Sequence, residues 1–424
     1  MRATHLIGIG GVGMSALAQA LLDKGETVTG ADRQIARAGE MPTPVLRALA
    51  AQGVSLFPDD GSGVTEGTAR IIVSTAIEET NPGLARAKAL DIPVVHRAAA
   101  LSDALASRKL LAVAGTCGKS TVTAILGHVL SVCGLDPVVV NGAQIVGWDE
   151  QGSRVGSVRR GAGEFAVAEV DESDKSLTAF NPYAAIVTNA SADHYSKEEM
   201  DAVFDAFVKD IPGPVIDGRR ERIVPSSEAR NIPLPGEHNA VNAECALRLA
   251  CALGVDRAAA AAALRSFPGV ERRLQKVGVL REDAHAVDVI DDYAHNPEKL
   301  HAMWMTLAAA YPKGIAVVWR PHGYAPLRKM LDALADMFRD VIRRQDALLL
   351  LPVYDAGGTA DRSINSDALA GRLDGVAGTV RLVKDLEEAE TSLRTQASAF
   401  GAIVMAGARD PGLPVLARRL AGKE

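Results

Sequence analysis

Long uninterrupted apolar runs are missing from this 424-residue chain. No stretch approaches the ~18 apolar residues of a membrane-spanning helix, so membrane insertion is not expected. The N-terminal stretch MRATHLIGIGGVGMSALAQALL is broken by glycines. A secretory signal would keep its apolar run intact up to a cleavage site, so a cytoplasmic location is expected. Cysteine is scarce as well. Cys117, Cys133, Cys245 and Cys251 show neither metal-ligand spacing nor the density of a secreted disulfide scaffold. They read as reduced, mostly buried thiols, with Cys117 set apart by its place in a glycine-containing loop. Positive charge is not in excess: 46 Lys and Arg against 52 Asp and Glu leave a formal net charge of −6. Nucleic acid and anionic membranes are therefore not expected as the main partner, although a local basic pocket for an anion is compatible.

What the chain does have is an ordinary globular composition, 48% hydrophobic and 23% charged. At about 100–200 residues per domain its length suggests two to four domains. Residues 5–9 read as a strand, Gly8 to Gly13 as a turn and residues 14–22 as a helix, with further strands over 27–30, 70–75 and 92–96. A second unit starts near Lys109, with a strand over 110–114, a loop, and a helix over 120–132. Strands over 165–170 and 184–188 and helices over 240–253 and 257–266 follow. A third unit after Arg273 carries strands over 287–291, 315–319, 347–351 and 403–405. This alternation predicts parallel sheets covered by helices. The fold class is α/β with three consecutive α/β domains: a Rossmann-like N-terminal domain, a central P-loop domain and a Rossmann-like C-terminal domain.

Several motifs carry chemistry. Gly8-Ile9-Gly10-Gly11-Val12-Gly13, running into Met14 and Ser15, lets backbone amides and a helix N-terminus approach a diphosphate. Asp32, at the end of the next strand, can accept a hydrogen bond from a ligand hydroxyl or base. Such a turn suits NAD, a flavin or another nucleotide diphosphate, and a tight turn without ligand is the plain alternative. Val113-Ala114-Gly115-Thr116-Cys117-Gly118-Lys119-Ser120, followed by Thr121, resembles a P-loop with Val113 in place of the first glycine. Its amides would cradle phosphate oxygens, Lys119 would neutralise β/γ charge and the Ser120 hydroxyl could coordinate Mg2+.

The acidic run Glu169-Val170-Asp171-Glu172-Ser173-Asp174 follows a strand. It reads either as a solvated loop or, beside a triphosphate, as a magnesium-binding segment. Thr188-Asn189 with Asp193-His194 stands at another strand end, where a lone histidine is more often structural. Pro235 to Asn242 leads into a helix on which Asn239 and Asn242 share a face, and Asn239 could simply cap that helix. Arg272-Arg273 supply cations for phosphate or carboxylate. In the run from Asp291 to Pro297, Asp292 and His295 follow a strand and could bind a ribose, although each taken singly is more often a surface polar group.

Together these motifs resemble the Mur ligase family over nearly the whole chain and in the family's order. Val73-Ser74-Thr75-Ala76-Ile77 adds to the resemblance. The resemblance implies that residues 1–107 bind a UDP sugar, residues 108–273 bind ATP, and residues 274–424 close over ATP and the amine. It implies an ATP-dependent amide-forming ligase of peptidoglycan precursor synthesis, joining L-alanine to UDP-N-acetylmuramate through an acyl phosphate. The alternatives are a different amine or peptide acceptor and a non-catalytic nucleotide-sugar-binding homologue. An oxidoreductase would leave the phosphate loop unexplained.

By the same resemblance Gly10, Gly11, Val12, Gly13, Met14, Ser15, Asp32 and Ser74 face the UDP sugar. Gly115, Thr116, Cys117, Gly118, Lys119, Ser120, Thr121, Asn239, Asn242, Asp292 and His295 face ATP. Ser120, Glu169 and His194 hold Mg2+, and Lys119, His194 and Arg273 are catalytic. There are departures from the family pattern. Cys117 replaces a usual histidine, the span from Pro214 to Leu234 is short, and Gly323 stands at a usual arginine within Arg320-Pro321-His322-Gly323-Tyr324-Ala325-Pro326. The loop from Gly407 to Gly412 is altered as well.

Overall fold

The computed structural model describes residues 2–171, 176–190, 197–282, 285–355 and 361–423. The chain divides into two compact units: residues 1–233 with 237–270, and residues 234–236 with 271–424.

The first unit contains two sheets. In one, β1 (Ala3–Ile7), β2 (Val28–Asp32), β3 (Ser55–Pro58), β4 (Thr68–Val73) and β5 (Val94–His96) lie in the order β3-β2-β1-β4-β5. All pairs are parallel. The winding reverses between β1 and β4, which opens a crevice at their C-terminal ends, where open α/β sheets bind ligands. The strand from β1 stops at Ile7, two residues earlier than its apolar run suggests, because Gly8 turns the chain at φ +75°. The Val12–Asp23 helix follows and is buried from Met14 to Leu21. A helix apolar on all sides belongs in an interior. Here Asp23 at its end pairs with Arg154 at 2.6 Å, and the Gln19 side chain accepts the Val155 amide.

The second sheet comprises β6 (Lys109–Ala114), β7 (Val138–Val140), β8 (Val158–Arg159), β9 (Phe165–Glu169), β10 (Ala184–Val187) and β11 (Val215–Asp217). Their order is β11-β10-β6-β9-β7-β8, and only β7 and β8 run antiparallel. Its central strands read LLAVA, FAVA and AAIV without alternation because both faces are covered. Each Leu or Val fully buried there contributes roughly 1.5–3 kcal/mol. One continuous core runs from Leu6 and Leu17 through Leu101 and Val140 to Phe204, so the two sheets share an interior. The short segment after β11 is closed by Arg219, whose buried guanidinium pairs with Asp201, Asp205 and Asp217.

The second unit is one sheet of β12 (Gln275–Glu282), β13 (His285–Asp292), β14 (Ile315–Trp319), β15 (Ala347–Leu350), β16 (Thr379–Leu382) and β17 (Ala402–Ala406), ordered β12-β13-β17-β14-β15-β16. All pairs are parallel except β12 with β13. The edge strand β12 buries only Val277 and Leu280, so its sequence QKVGVLRE carries a weak strand signal. Apolar layers cover both faces, Trp304, Leu334 and Phe338 on one and Val289, Met405 and Leu413 on the other. No described helix is long and apolar enough to cross a membrane.

Candidate active site

In the first sheet the glycine turn is fixed from two directions. The Asp32 carboxylate accepts the Gly10 N–H at 2.8 Å and the Gln34 N–H at 3.0 Å. A Cβ on Gly10 would stand 2.8 Å from that carboxylate, so the turn requires glycine there. Asp32 thus holds the turn. Gly11 caps the Val12–Asp23 helix, and its N–H returns to the Gly8 carbonyl at 3.0 Å. Met14 and Ser15 are turned inward, and Ser15 bonds the Val12 carbonyl. The Ser15 N–H is already bonded to the Gly11 carbonyl at 2.8 Å, so an anion here would meet the first-turn amides of Val12, Gly13 and Met14 rather than the Met14 and Ser15 side chains. Gly11 and Val12 are the exposed residues of the turn, and half-buried Ser74 lies just beyond β4 on the other side of the crevice.

Sequence reasoning missed Arg97. It opens the helix after β5, and a Cβ on Gly13 would stand 2.7 Å from its Nη1. The guanidinium therefore leans on the start of the glycine-turn helix, with Asp171 4.0 Å away. A cation at a helix N-terminus suits a diphosphate. Its one sequence signal was its position directly after a strand, in His96-Arg97.

The phosphate loop leaves β6 and is clasped by the end of β10, which pairs with β6 in register as Val187 with Ala114. The Thr188 hydroxyl donates to the Cys117 carbonyl at 2.6 Å, and the Thr116 hydroxyl donates to Asn189 Oδ1 at 2.7 Å. Gly115 and Gly118 have φ of +123° and +87°. A Cβ on Gly118 would stand 2.7 Å from the Asn242 side-chain oxygen, so the Glu237–Ala252 helix reaches the loop at that glycine. Asn239 lies within that helix, past its first residue, and therefore does not cap it. Its Oδ1 is 3.5 Å from Asn242 Nδ2, and both residues are buried. Lys119 Nζ donates to the Gly115 carbonyl at 2.7 Å. Ser120 and Thr121 are buried at the start of the Lys119–Val132 helix, while Cys117 is half-buried.

Glu169 ends β9, which neighbours β6 with Glu169 opposite Val113. Its Oε2 accepts the Gly142 N–H at 2.8 Å. Ser120 and Glu169 offer the hard oxygen donors that Mg2+ takes. His194, Asp193 and the run from Glu172 to Asp174 lie outside the described residues.

In the second unit the two adjacent arginines separate by role. Arg272, at φ +58°, pairs with Asp291 at 3.3 Å and donates to the Gly407 and Ala408 carbonyls. The Arg272 and Arg273 guanidiniums each lie 5.2 Å from the Tyr293 ring centroid. Asp292 is buried, accepting the Leu274 and Ala294 N–H groups at 2.7 Å each. Burial pushes its carboxyl above the usual range, and burial likewise takes Asp291 up to about 7. His295 bonds the Tyr293 carbonyl at 2.8 Å through Nδ1 and meets His322 edge to face at 4.8 Å. Burial lowers its pKa to about 4, so its imidazole is neutral at pH 7.

Three wound sheets, a phosphate loop and a diphosphate-type glycine turn define a nucleotide-using enzyme of multi-sheet α/β architecture. Family models described as "Mur ligase family, catalytic domain" and "Mur ligase, glutamate ligase domain" match residues 3–109 and 272–409. A UDP-N-acetylmuramate–L-alanine ligase of Stenotrophomonas maltophilia is 33% identical over 417 aligned residues, covering 86% of this chain and 84% of the relative. The ligase of the same name from Xylella fastidiosa is 32% identical, covering 96% and 95%. The crystal structure of the UDP-N-acetylmuramate–alanine ligase of Thermotoga maritima superposes with a TM-score of 0.79 at 23% identity, covering 100% of this chain and 99% of the other. The chain belongs to the Mur ligase family and is an ATP-dependent ligase.

Proposed function

We propose that this ligase joins L-alanine to the carboxylate of UDP-N-acetylmuramate, with ATP, in the cytoplasm. The observation that carries the reading is the clasped phosphate loop, present in a chain about one-third identical over most of its length to ligases of that name. The domain assignment is part of the reading: residues 1–107 take the UDP sugar, 108–273 take ATP and 274–424 take the amine.

A carboxylate is a poor electrophile, so ATP first converts it to an acyl phosphate. The amine then attacks the carbonyl carbon, and the tetrahedral intermediate expels phosphate. Both steps gather negative charge, which Lys119 and the loop amides stabilise. In the resting loop Lys119 is held on the Gly115 carbonyl, a weak neutral acceptor that it exchanges for phosphate oxygens. The glycine turn, Arg97, Asp32 and Ser74 receive the UDP portion. Asn239 and Asn242 lie on the adenine side, and Arg273, Asp292 and His295 belong to the nucleotide-closing elements. With Asp292 bonded to two backbone amides, it shapes the loop carrying His295 as well as offering its remaining lone pairs. Ser120, Glu169 and His194 would hold Mg2+, which supplies charge neutralisation at the phosphates.

A different amine or peptide acceptor is the second reading, favoured by Gly323 in place of an arginine. A matrix of UDP sugars and amines, read as ADP and phosphate release, separates the two. Lys119→Ala is the control: its side chain is half-buried and fills no core, so ligation should vanish with the thermal transition intact. Unchanged product formation in that variant would sink the ATP-site assignment.

A further inference from the structure

The C-terminal ends of β13, β14 and β17 bring together His295, Arg320, His322 and Arg409. These groups are not equivalent. Arg320 is neutralised: its Nη1 lies 2.7 Å from the Asp410 carboxylate, and the two side chains are only 17% and 6% exposed. The other Asp410 oxygen accepts the Gly412 N–H at 2.8 Å. His295 and His322 are packed ring against ring. Burial and, after it, the nearby Arg409 and Lys299 charges keep His322 below the ordinary imidazole range, so both rings are neutral at pH 7.

Arg409 differs from all of these. It is exposed and has no ion-pair or hydrogen-bond partner among the described residues. Its Nη1 lies 4.0 Å from where a Cβ on Gly323 would stand. Gly323 itself sits at φ 158°, ψ 159°, a combination essentially confined to glycine. The loop after β14 is therefore built around a glycine, and a guanidinium from the loop after β17 occupies the space beside it. The carboxylate next to Arg409 in sequence is committed to Arg320 and to a backbone amide, so it does not quench the Arg409 charge. A planar cation beside neutral imidazoles at the ligand-binding edge of a wound sheet is suited to grip a carboxylate with two parallel N–H bonds.

We propose that Arg409 anchors the carboxylate of the amine-bearing substrate and thereby sets the preference for a free amino acid over its amide. The anchor sits on the loop after β17 and fills the place where the loop after β14 carries no side chain. This rests on the ligase reading above, which is what brings an amino-acid or peptide carboxylate to the second unit.

The test uses the full chain with ATP, UDP-N-acetylmuramate and a panel of L-amino acids and peptides, each compared with its C-terminal amide. For the best acceptor, wild type should show a KM at least about thirtyfold lower for the acid than for the amide. Arg409→Ala should raise KM for the acid about thirtyfold with kcat within about threefold, and should leave KM for the amide unchanged. Arg409→Lys should recover only part, since an ammonium lacks the fork. An unchanged KM for the acid in Arg409→Ala, or equal increases for acid and amide, would overturn the proposal while the ligase reading stands. If wild type turns over no carboxylate-bearing acceptor at all, the ligase reading fails and this proposal fails with it.

Discussion

The side-chain amide of Asn189 holds Cys117 by both backbone groups: its Oδ1 accepts the Cys117 N–H and its Nδ2 donates to the Cys117 carbonyl, each at 3.0 Å. The phosphate loop is thus shaped from outside, before any nucleotide arrives. Asn189→Asp keeps the acceptor, removes the donor and adds negative charge next to a triphosphate. We expect a rise in KM for ATP of about tenfold or more, with a melting temperature within a few degrees of wild type. Unaltered ATP kinetics in this variant would show that the clasp is not needed.

Cys117 is half-buried between Thr116 and Gly118. Alkylation there places a bulky group in the phosphate path, so thiol reagents should inactivate the enzyme and ATP should protect it. The measurement is mass-spectrometric occupancy at Cys117 against residual activity. Full occupancy with full activity would refute the placement. Cys117→His should be tolerated, because the backbone rather than the side chain makes the contacts to Thr188 and Asn189.

Gly323→Arg supplies the arginine that the family resemblance leads us to expect at this position, but the backbone there is at φ 158°, ψ 159°. A side chain at such a position costs of order 1–3 kcal/mol, and Arg409 already fills the neighbouring space. Sequence alone suggests that the substitution would lower KM for the acceptor. The structure instead leads us to expect a lower melting temperature and no gain in KM. A clear fall in KM at unchanged stability would show that the loop readjusts freely.

His5 lies on β1, is 1% exposed and bonds the Thr29 hydroxyl at 2.9 Å. Burial lowers its pKa from 6.5 to about 4, with Asp59 opposing the shift. Between those two values the unfolded chain binds more protons than the folded one. Stability should therefore be full above about pH 6.5 and fall as pH drops toward 4, by on the order of 3 kcal/mol from this residue. His5→Gln should flatten the slope in that window without abolishing it, since His295 is also held at about 4. Denaturant melts of both proteins across the window would check this, and identical slopes would count against His5.

The sequence by itself determined what depends on neighbours in the chain. The strand-turn-helix at Gly8 to Gly13, the phosphate loop from Gly115 to Ser120 and the apolar strands on either side are local patterns, in which periodicity and glycine placement state the backbone geometry. Tertiary structure decided which side chains share a site. Asn189 grips a loop 72 residues away, Asn242 closes on Gly118, Arg97 leans on Gly13 and Arg409 stands beside Gly323. It also decided that Arg272 and Arg273 both lie over Tyr293 and that Arg272 is in addition tied to Asp291 and the Ala408 carbonyl. The physical reason is parallel pairing. Parallel neighbours cannot be joined by a tight hairpin and need a crossover of many residues, so the strand ends that form a site are remote in sequence. Their meeting is set by the winding order β3-β2-β1-β4-β5 and its counterparts, which no local pattern encodes.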